Sequence, residues 1–483
     1  MFQTLRNAWK IPELKNKILF TLMIIILYRL GSSLPMPWVN PAQLENMFST
    51  SGGALSWLNL LSGGALAQAT LFALSVSPYI TASIVIQLLT IAIPKFEEWA
   101  KEGESGKKKL SAITRLLTVA LALVTSIGYT MWLDRNNMMI YGAWSGSTFK
   151  PGEGWELWGV WIARIVLVLA YCAGASVIMW LGEKINEKGI GNGISIILFA
   201  NIIARLPGML GTIVELCFKR GGVVATTADN RVIDRGLGSI KWLADSAYAW
   251  QVVLGVVICL FVAALLIASV AIVVGFSNSE RRIPVQYAKR VVGRKMYGGQ
   301  STTLPLKLDM AGVMPVIFAS SIVSILPTVC GFIPSTAAKW LVNFKNFVEV
   351  YLGQTSFPFI AFQIILIIAF AYFYIMISFN PVEVSNNLRN NGGAIPGIRP
   401  GKPTVDYIKK ILNRITLLGA IFLCGLSCIP MIVNAVWTAI DGYGIPDLSF
   451  GGTSLLIVVG VALETFRELE AQMTLRNYKG FLD

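Results

Sequence analysis

The sequence predicts an all-α integral membrane protein with ten transmembrane helices, and three observations carry that prediction. Of 483 residues, 55% are hydrophobic and 14% charged, at a mean hydropathy of +0.64; so little polar surface cannot cover a soluble globule of this size. Apolar runs of roughly twenty residues, the length that crosses a bilayer, recur near 18–34, 70–93, 112–133, 158–181, 193–215, 251–276, 310–333, 357–379, 415–437 and 452–469. Finally, the later runs repeat the earlier ones at a distance of five spans.

The first run is preceded by Arg6, Lys10, Lys15 and Lys17 and is followed by no small-residue cleavage site, so it reads as a retained helix and not a signal peptide. The second run contains PYITASIV at 78–85, and the seventh contains PVIFASSIV at 315–323, the same pattern with one serine inserted. The fifth and tenth open with GISIIL at 193–198 and GTSLLI at 452–457. Matches in the same order, five spans apart, indicate a duplicated five-helix unit. Five is odd, so the second copy enters the membrane from the opposite face, giving two inverted halves. The expected division is a first half over 1–204, an external loop at 205–250, and a second half over 251–483.

Lysine and arginine concentrate in alternate loops, above all 94–111, 277–309 and 380–414. The positive-inside rule places these loops, and with an even span count both termini, in the cytoplasm; anionic lipid is an expected contact of the same charges. The loop at 205–250 departs from the pattern, carrying Arg205, Lys219, Arg220, Arg231, Arg235 and Lys241 on the predicted outer side. It is long, and the rule weakens with loop length.

Several chemistries drop out. The chain has no histidine, which removes H-E-x-x-H metal sites, Ser-His nucleophiles and histidine proton relays. Its six cysteines (Cys172, Cys217, Cys259, Cys330, Cys424, Cys428) form no C-x-x-C pair and read as small buried hydrophobes. No catalytic residue, cofactor or metal is expected, and no phosphate-binding G-x-x-x-x-G-K-[ST] loop occurs. Irregular backbone at membrane depth, here Ser62-Gly63-Gly64, Pro78 and the glycines opening the fifth and tenth runs, is tolerated where it is buried in protein or lines a cavity. The matched helices carry almost no ionisable group at mid-membrane; Arg205, Glu464 and Arg467 lie towards helix ends, and Arg29, Arg164 and Arg467 fall within spans. Ion-coupled transporters keep such groups at their sites. A passive conduit lined by Ile80, Ile317, Leu198 and Ile457 therefore fits better, closing by dewetting or around a passing chain. A secondary transporter or flippase, and an insertase without a continuous pore, remain alternatives at this stage.

Long segments of the chain resemble the SecY family, the channel subunit of the bacterial Sec translocon: residues 60–90, KEGESGKKKLS at 101–111, WLGEKINEKGIGNGISI at 180–196, residues 281–321, NPVEVSNNLRNNGGAIPGIRPGKPT at 380–404 and FGGTSLLIVVG at 450–460. The resemblance implies a protein-conducting channel, not an enzyme, in the bacterial cytoplasmic membrane, its two halves hinged at the external loop 205–250. It implies a ring of Val76, Ile80, Ile194, Leu198, Ile317 and Ile457 at the constriction. It also implies a re-entrant plug half-helix over about 62–74, with Ser62, Gly63, Gly64, Ala65, Leu66, Leu71 and Phe72. A lateral gate between helices 2–3 and 7–8 would carry Thr81, Gln87, Ser321 and Ile325, and a cytosolic docking surface Arg281, Arg282, Lys289, Arg290, Arg294, Lys295 and Arg399. The implied partners are SecE-type and SecG-type small membrane subunits, the SecA motor ATPase, the ribosome, signal sequences and nascent secretory polypeptides. The outer loops at 134–157 and 205–250 match the family poorly, and Val76 and Leu198 stand where isoleucine is usual.

Overall fold

The computed structural model describes residues 6, 8–50, 59, 62–136, 138–139, 154–220, 246–287, 290–292, 295–297, 301–331, 339–352, 356–441 and 446–479. The chain runs through α1 (Pro12–Ser33), α2 (Pro41–Thr50), α3 (Ser77–Ala92), α4 (Pro94–Lys101), α5 (Glu104–Arg135), α6 (Gly154–Lys188), α7 (Gly193–Arg220) and α8 (Ser246–Ser277). Four strands follow, β1 (Glu280–Tyr287), β2 (Arg290–Val292), β3 (Lys295–Tyr297) and β4 (Ser301–Lys307). Then come α9 (Met314–Gly331), α10 (Lys339–Tyr351), α11 (Phe357–Ser378), α12 (Pro381–Asn390), β5 (Gly393–Ala394), α13 (Lys402–Asp441) and α14 (Pro446–Lys479).

The ten apolar runs thus lie on α1, α3, α5, α6, α7, α8, α9, α11, α13 and α14. Proline sets several boundaries. It stands in the first turn of α1, α3, α4, α11 and α12, where its missing N–H costs nothing. Pro94 forces Ile93 into extended backbone (φ −112°, ψ 115°), ending α3, and the chain turns through 101° into α4. Among the described residues, five helical stretches are long and apolar enough to cross a membrane, six if this bent pair is one span. Their outer faces hold Leu116, Val124, Ile267 and Met376 more than half exposed, an arrangement that is stable only when lipid replaces water.

The packing order repeats. In the first half α3 packs on α5, α5 on α6 and α6 on α7; in the second, α9 packs on α11, α11 on α13 and α13 on α14. The halves meet where α3 touches α9, α7 touches α14 and α7 touches α8. The first two are the sequence-matched pairs, as expected for elements flanking the axis of an inverted repeat.

Each of the three arginines within the spans has a partner on another element. Arg29 donates to the Ala200 carbonyl, Arg164 pairs with Asp134 at 2.5 Å, and Arg467 donates to the Ser277 carbonyl and, at 2.9 Å, to Asn278 Oδ1. Such pairing lowers the cost of charge near the membrane.

The charged loops are more ordered than a helices-only reading implies. β1 pairs antiparallel with β4 from Glu280↔Lys307 to Gln286↔Ser301, and with β5 at Gln286↔Ala394 and Tyr287↔Gly393, in the order β4-β1-β5. One face buries Ile283, Leu306 and Ile395 against Ile408, Leu412 and Ile415 of α13. The loops 277–309 and 380–414 are therefore one unit with its own core.

Candidate functional site

Four helices converge on one apolar cluster. α3 contributes Ile80, with Val76 just before its first turn; α7 contributes Leu198, α9 Ile317 and α14 Ile457, each at most 3% exposed. Ile194 of α7 packs against the same cluster from its rim. The six residues expected at the constriction are thus brought together, and all are branched aliphatics. Beside them lies a cavity of about 140 Å³ whose wall combines Ile80, Ile194, Leu198 and Ile317 with Ser83, Gln87 and Asn192. A partly polar pocket therefore abuts an apolar constriction.

The segment expected as a plug half-helix takes a different form. Residues 62–76 are a succession of turns, and regular helix begins only at Ser77, not at 70. The cause is local: Gly63, Gly64, Ala69 and Ser75 all have positive φ (69°, 93°, 47° and 51°), which right-handed helix excludes. The glycines adopt it freely, whereas Ala69 and Ser75 are held there by their surroundings.

Those surroundings come from the first half. Tyr129 of α5, fully buried, donates its hydroxyl to the Leu66 carbonyl at 2.7 Å, and Tyr171 of α6 reaches the Ala69 carbonyl at 3.5 Å. The Tyr28 ring of α1 stacks on Phe72 with centroids 5.5 Å apart, and Asn201 of α7 donates to Ser75 Oγ at 3.4 Å. The Ala69 carbonyl also accepts from Met36 N–H, and Leu71 N–H donates to the Leu34 carbonyl. Two glycines make room. A Cβ on Gly31 would fall on the Phe72 ring, and one on Gly174 would fall on the Leu71 carbonyl oxygen. Of the predicted plug residues, Ser62, Ala65, Leu66 and Phe72 are buried, with Gly63, Gly64 and Leu71 half-buried. The seating residues Tyr28, Tyr129, Tyr171 and Gly174 were missed in the sequence, where they sit in apolar runs with nothing to mark a partner.

The α3–α9 contact is the predicted seam. Its polar candidates are satisfied within their own helix: Thr81 donates to the Ser77 carbonyl at 3.0 Å, and Gln87 to Ser83 Oγ at 3.2 Å. Ser321 is half-buried and Ile325 39% exposed. A polar link between helices occurs one position away, where Gln363 of α11, buried, donates to Ser320 Oγ of α9 at 3.4 Å. Its Oε1 has no partner among the described residues.

On the sheet, Arg281 and Arg282 are exposed, with Arg282 Nε 2.7 Å from Glu280 Oε1. Arg399 is exposed in the loop after β5, where its carbonyl accepts from Thr404 Oγ1 at 2.9 Å. Arg290 and Lys295 sit on the β2–β3 hairpin, at Arg290↔Tyr297 and Val292↔Lys295; Lys289 and Arg294 lie outside the described residues.

A cavity of about 340 Å³ opens where α8, β4, α9, α11 and α14 meet, lined by Lys307, Asp309, Glu464 and Arg467. Burial pushes the Asp309 carboxyl up from the ordinary range; the Gly312 N–H, the Ser277 hydroxyl at 3.4 Å, and the charges of Arg467 and Lys307 oppose that rise. Burial, then the neighbouring Arg467, pulls Lys307 down. This cluster joins the foot of the sheet to the start of α9.

Comparison with known proteins agrees with this geometry. A sequence model of the SecY family matches residues 70–466. The protein translocase subunit SecY of Streptomyces coelicolor is 40% identical over 488 residues, covering 100% of both chains. A solved SecY channel, whose plug domain stabilises the closed state and maintains a membrane seal, superposes at a TM-score of 0.56 with 17% identity over 96% of each chain. Sec61 in a canine ribosome–channel complex from the endoplasmic reticulum gives 0.50 at 15% identity, again over 96% of each.

Proposed function

The chain belongs to the SecY family, and from that premise we propose how it conducts protein. It is a multi-pass membrane protein that forms a passive channel for unfolded secretory polypeptides and releases transmembrane segments sideways into lipid. The observation that carries the reading is the convergence of Val76, Ile80, Leu198, Ile317 and Ile457, from both halves, on one dry cluster beside a partly polar vestibule. Aliphatic side chains hold no fixed hydrogen-bond partners, so they close on themselves when the channel is empty and can part around any sequence. The segment 62–74 serves as the plug, and the α3–α9 seam as the side exit.

A secretory chain stalled in transit should crosslink along its length to photoreactive probes at Ile80 and Ile317, and a stalled hydrophobic segment to probes at Thr81 and Ile325. An insertase without a pore would give only the second result. Crosslinks at neither pair would refute the conduit.

The sheet formed by loops 277–309 and 380–414 is the docking platform, cytoplasmic by its basic charge, as are both termini, in a bacterial inner membrane. Arg281, Arg282 and Arg399 present forked donors that suit carboxylate and phosphate alike, hence both the SecA motor and the ribosome. SecE-type and SecG-type subunits complete the assembly. Arg399→Glu should abolish motor-driven export while leaving abundance and membrane insertion intact, because Arg399 is exposed and only its backbone serves the loop. Wild-type export by a stably inserted variant would remove Arg399 from the platform.

A further inference from the structure

α10 carries the sequence KWLVNFKNFVEVY between α9 and α11, and chain order puts it at the ends of those two helices remote from the β4-β1-β5 sheet. Trp340, Phe344, Phe347 and Tyr351 recur at i, i+4, i+7 and i+11, a spacing that puts all four on one side of a helix. All four are exposed, at 69%, 44%, 57% and 50%. Phe347 and Tyr351 hold ring centroids 4.6 Å apart, so the C-terminal half of the stripe is a paired aromatic surface. Val348, on the adjoining face, is buried where α10 packs on α9 and α11. The flank beyond the stripe carries exposed Asn343 and Asn346, with Val350 on the same side near the C-terminal end of the helix.

Where this stripe sits follows from the chain. α10 has thirteen residues, about 20 Å of helix, too short to cross a bilayer. α10 lies in the chain between the close of α9 and the opening of α11 and packs on both, which keeps it at the level of those ends. There the neighbouring surface is already lipid-facing: Ile325, Leu326 and Val329 are exposed at the close of α9, and Phe357, Phe362 and Ile365 at the opening of α11. Tryptophan and tyrosine favour that level, where ring and polar tip meet different media, and Lys339 and Lys345 of the same helix suit anionic headgroups.

We propose that α10 is an interfacial anchor, its aromatic stripe immersed in the headgroup region of the outer leaflet. Because α10 packs on α9, lipid then holds the outer end of the seam helix, and gating becomes sensitive to the leaflet around it.

The test places nitroxide labels on single cysteines at Phe344, Phe347, Asn343 and Asn346. The protein lacks its native cysteines and sits in nanodiscs of phosphatidylethanolamine and phosphatidylglycerol; a label at Ile365 supplies the reference for lipid contact. Oxygen should reach the labels at 344 and 347 severalfold more readily than a soluble nickel complex does, as at 365, with the preference reversed at 343 and 346. Nickel reaching 344 and 347 as freely as 343 would show that the stripe faces water and would overturn the anchor. Exclusion of both reagents at 344 and 347 would place a protein surface over the stripe, a small subunit or a second copy, and would overturn it equally.

Discussion

Changing Ile80 and Ile317 together to asparagine is expected to open a standing ion conductance in a channel that is otherwise tight. The two residues sit at matched positions of the repeat, 3% and 2% exposed, and meet in the same apolar cluster. A buried amide without partners costs roughly 2–7 kcal/mol, and the cluster's aliphatic side chains offer none. Two such amides make a hydrated constriction more stable than a dry one, with the adjoining cavity as the source of water. The measurement is conductance across a planar bilayer. Since the plug lies against the ring, the decisive comparison repeats it with the plug displaced. A double variant that adds no conductance to wild type, and none to the Gly174→Ala protein in which the plug is displaced, would show that these residues do not form the seal.

Gly174→Ala supplies that displacement and should leak by itself. In a helix interior alanine is favoured over glycine by about 1 kcal/mol, so helix propensity argues against a glycine at 174. The reason for it is external, since a Cβ would overlap the Leu71 carbonyl oxygen. Overpacking of this kind costs typically ~1–3 kcal/mol. The hydrogen bonds from Tyr129, Tyr171 and Asn201 contribute on the order of 1 kcal/mol each, so the overlap rivals everything these three supply and the plug should leave its seat. Gly275→Ala is the control, since a Cβ there meets nothing within 4 Å. Equal tightness of both variants in the bilayer would mean that the seat yields without releasing the plug.

The frame and the ring were legible because both are written in local pattern. Span length marks the helices, and the PYITASIV and PVIFASSIV repeat pairs Ile80 with Ile317 before any fold is known. The plug's form was not legible, because Ala69 and Ser75 take left-handed backbone that their residue types do not favour; tertiary contacts impose it. The seating tyrosines escaped for a related reason, their acceptors being backbone carbonyls 63 and 102 residues away. The sheet was a different case. Ile283 and Val285 alternate with Arg282, Pro284 and Gln286, a strand signal present in the sequence but overshadowed by the charge around it.

The antiparallel ladder between β1 and β4 gives the docking platform a mechanical character. Seven paired positions, at about 3.4 Å each, make a stiff rod on the order of 24 Å long. Its foot is closed by the Leu308 N–H bonded to the Ser279 carbonyl, and β5 braces it near the far end at Gln286 and Tyr287. A push delivered at the tip cannot dissipate in slack chain. It arrives at the foot as torque, where Asp309 and Gly312 lead directly into α9. If the sheet is the docking platform proposed above, the strand pair would act as a crank, and a motor gripping it would turn the seam helix without touching the membrane.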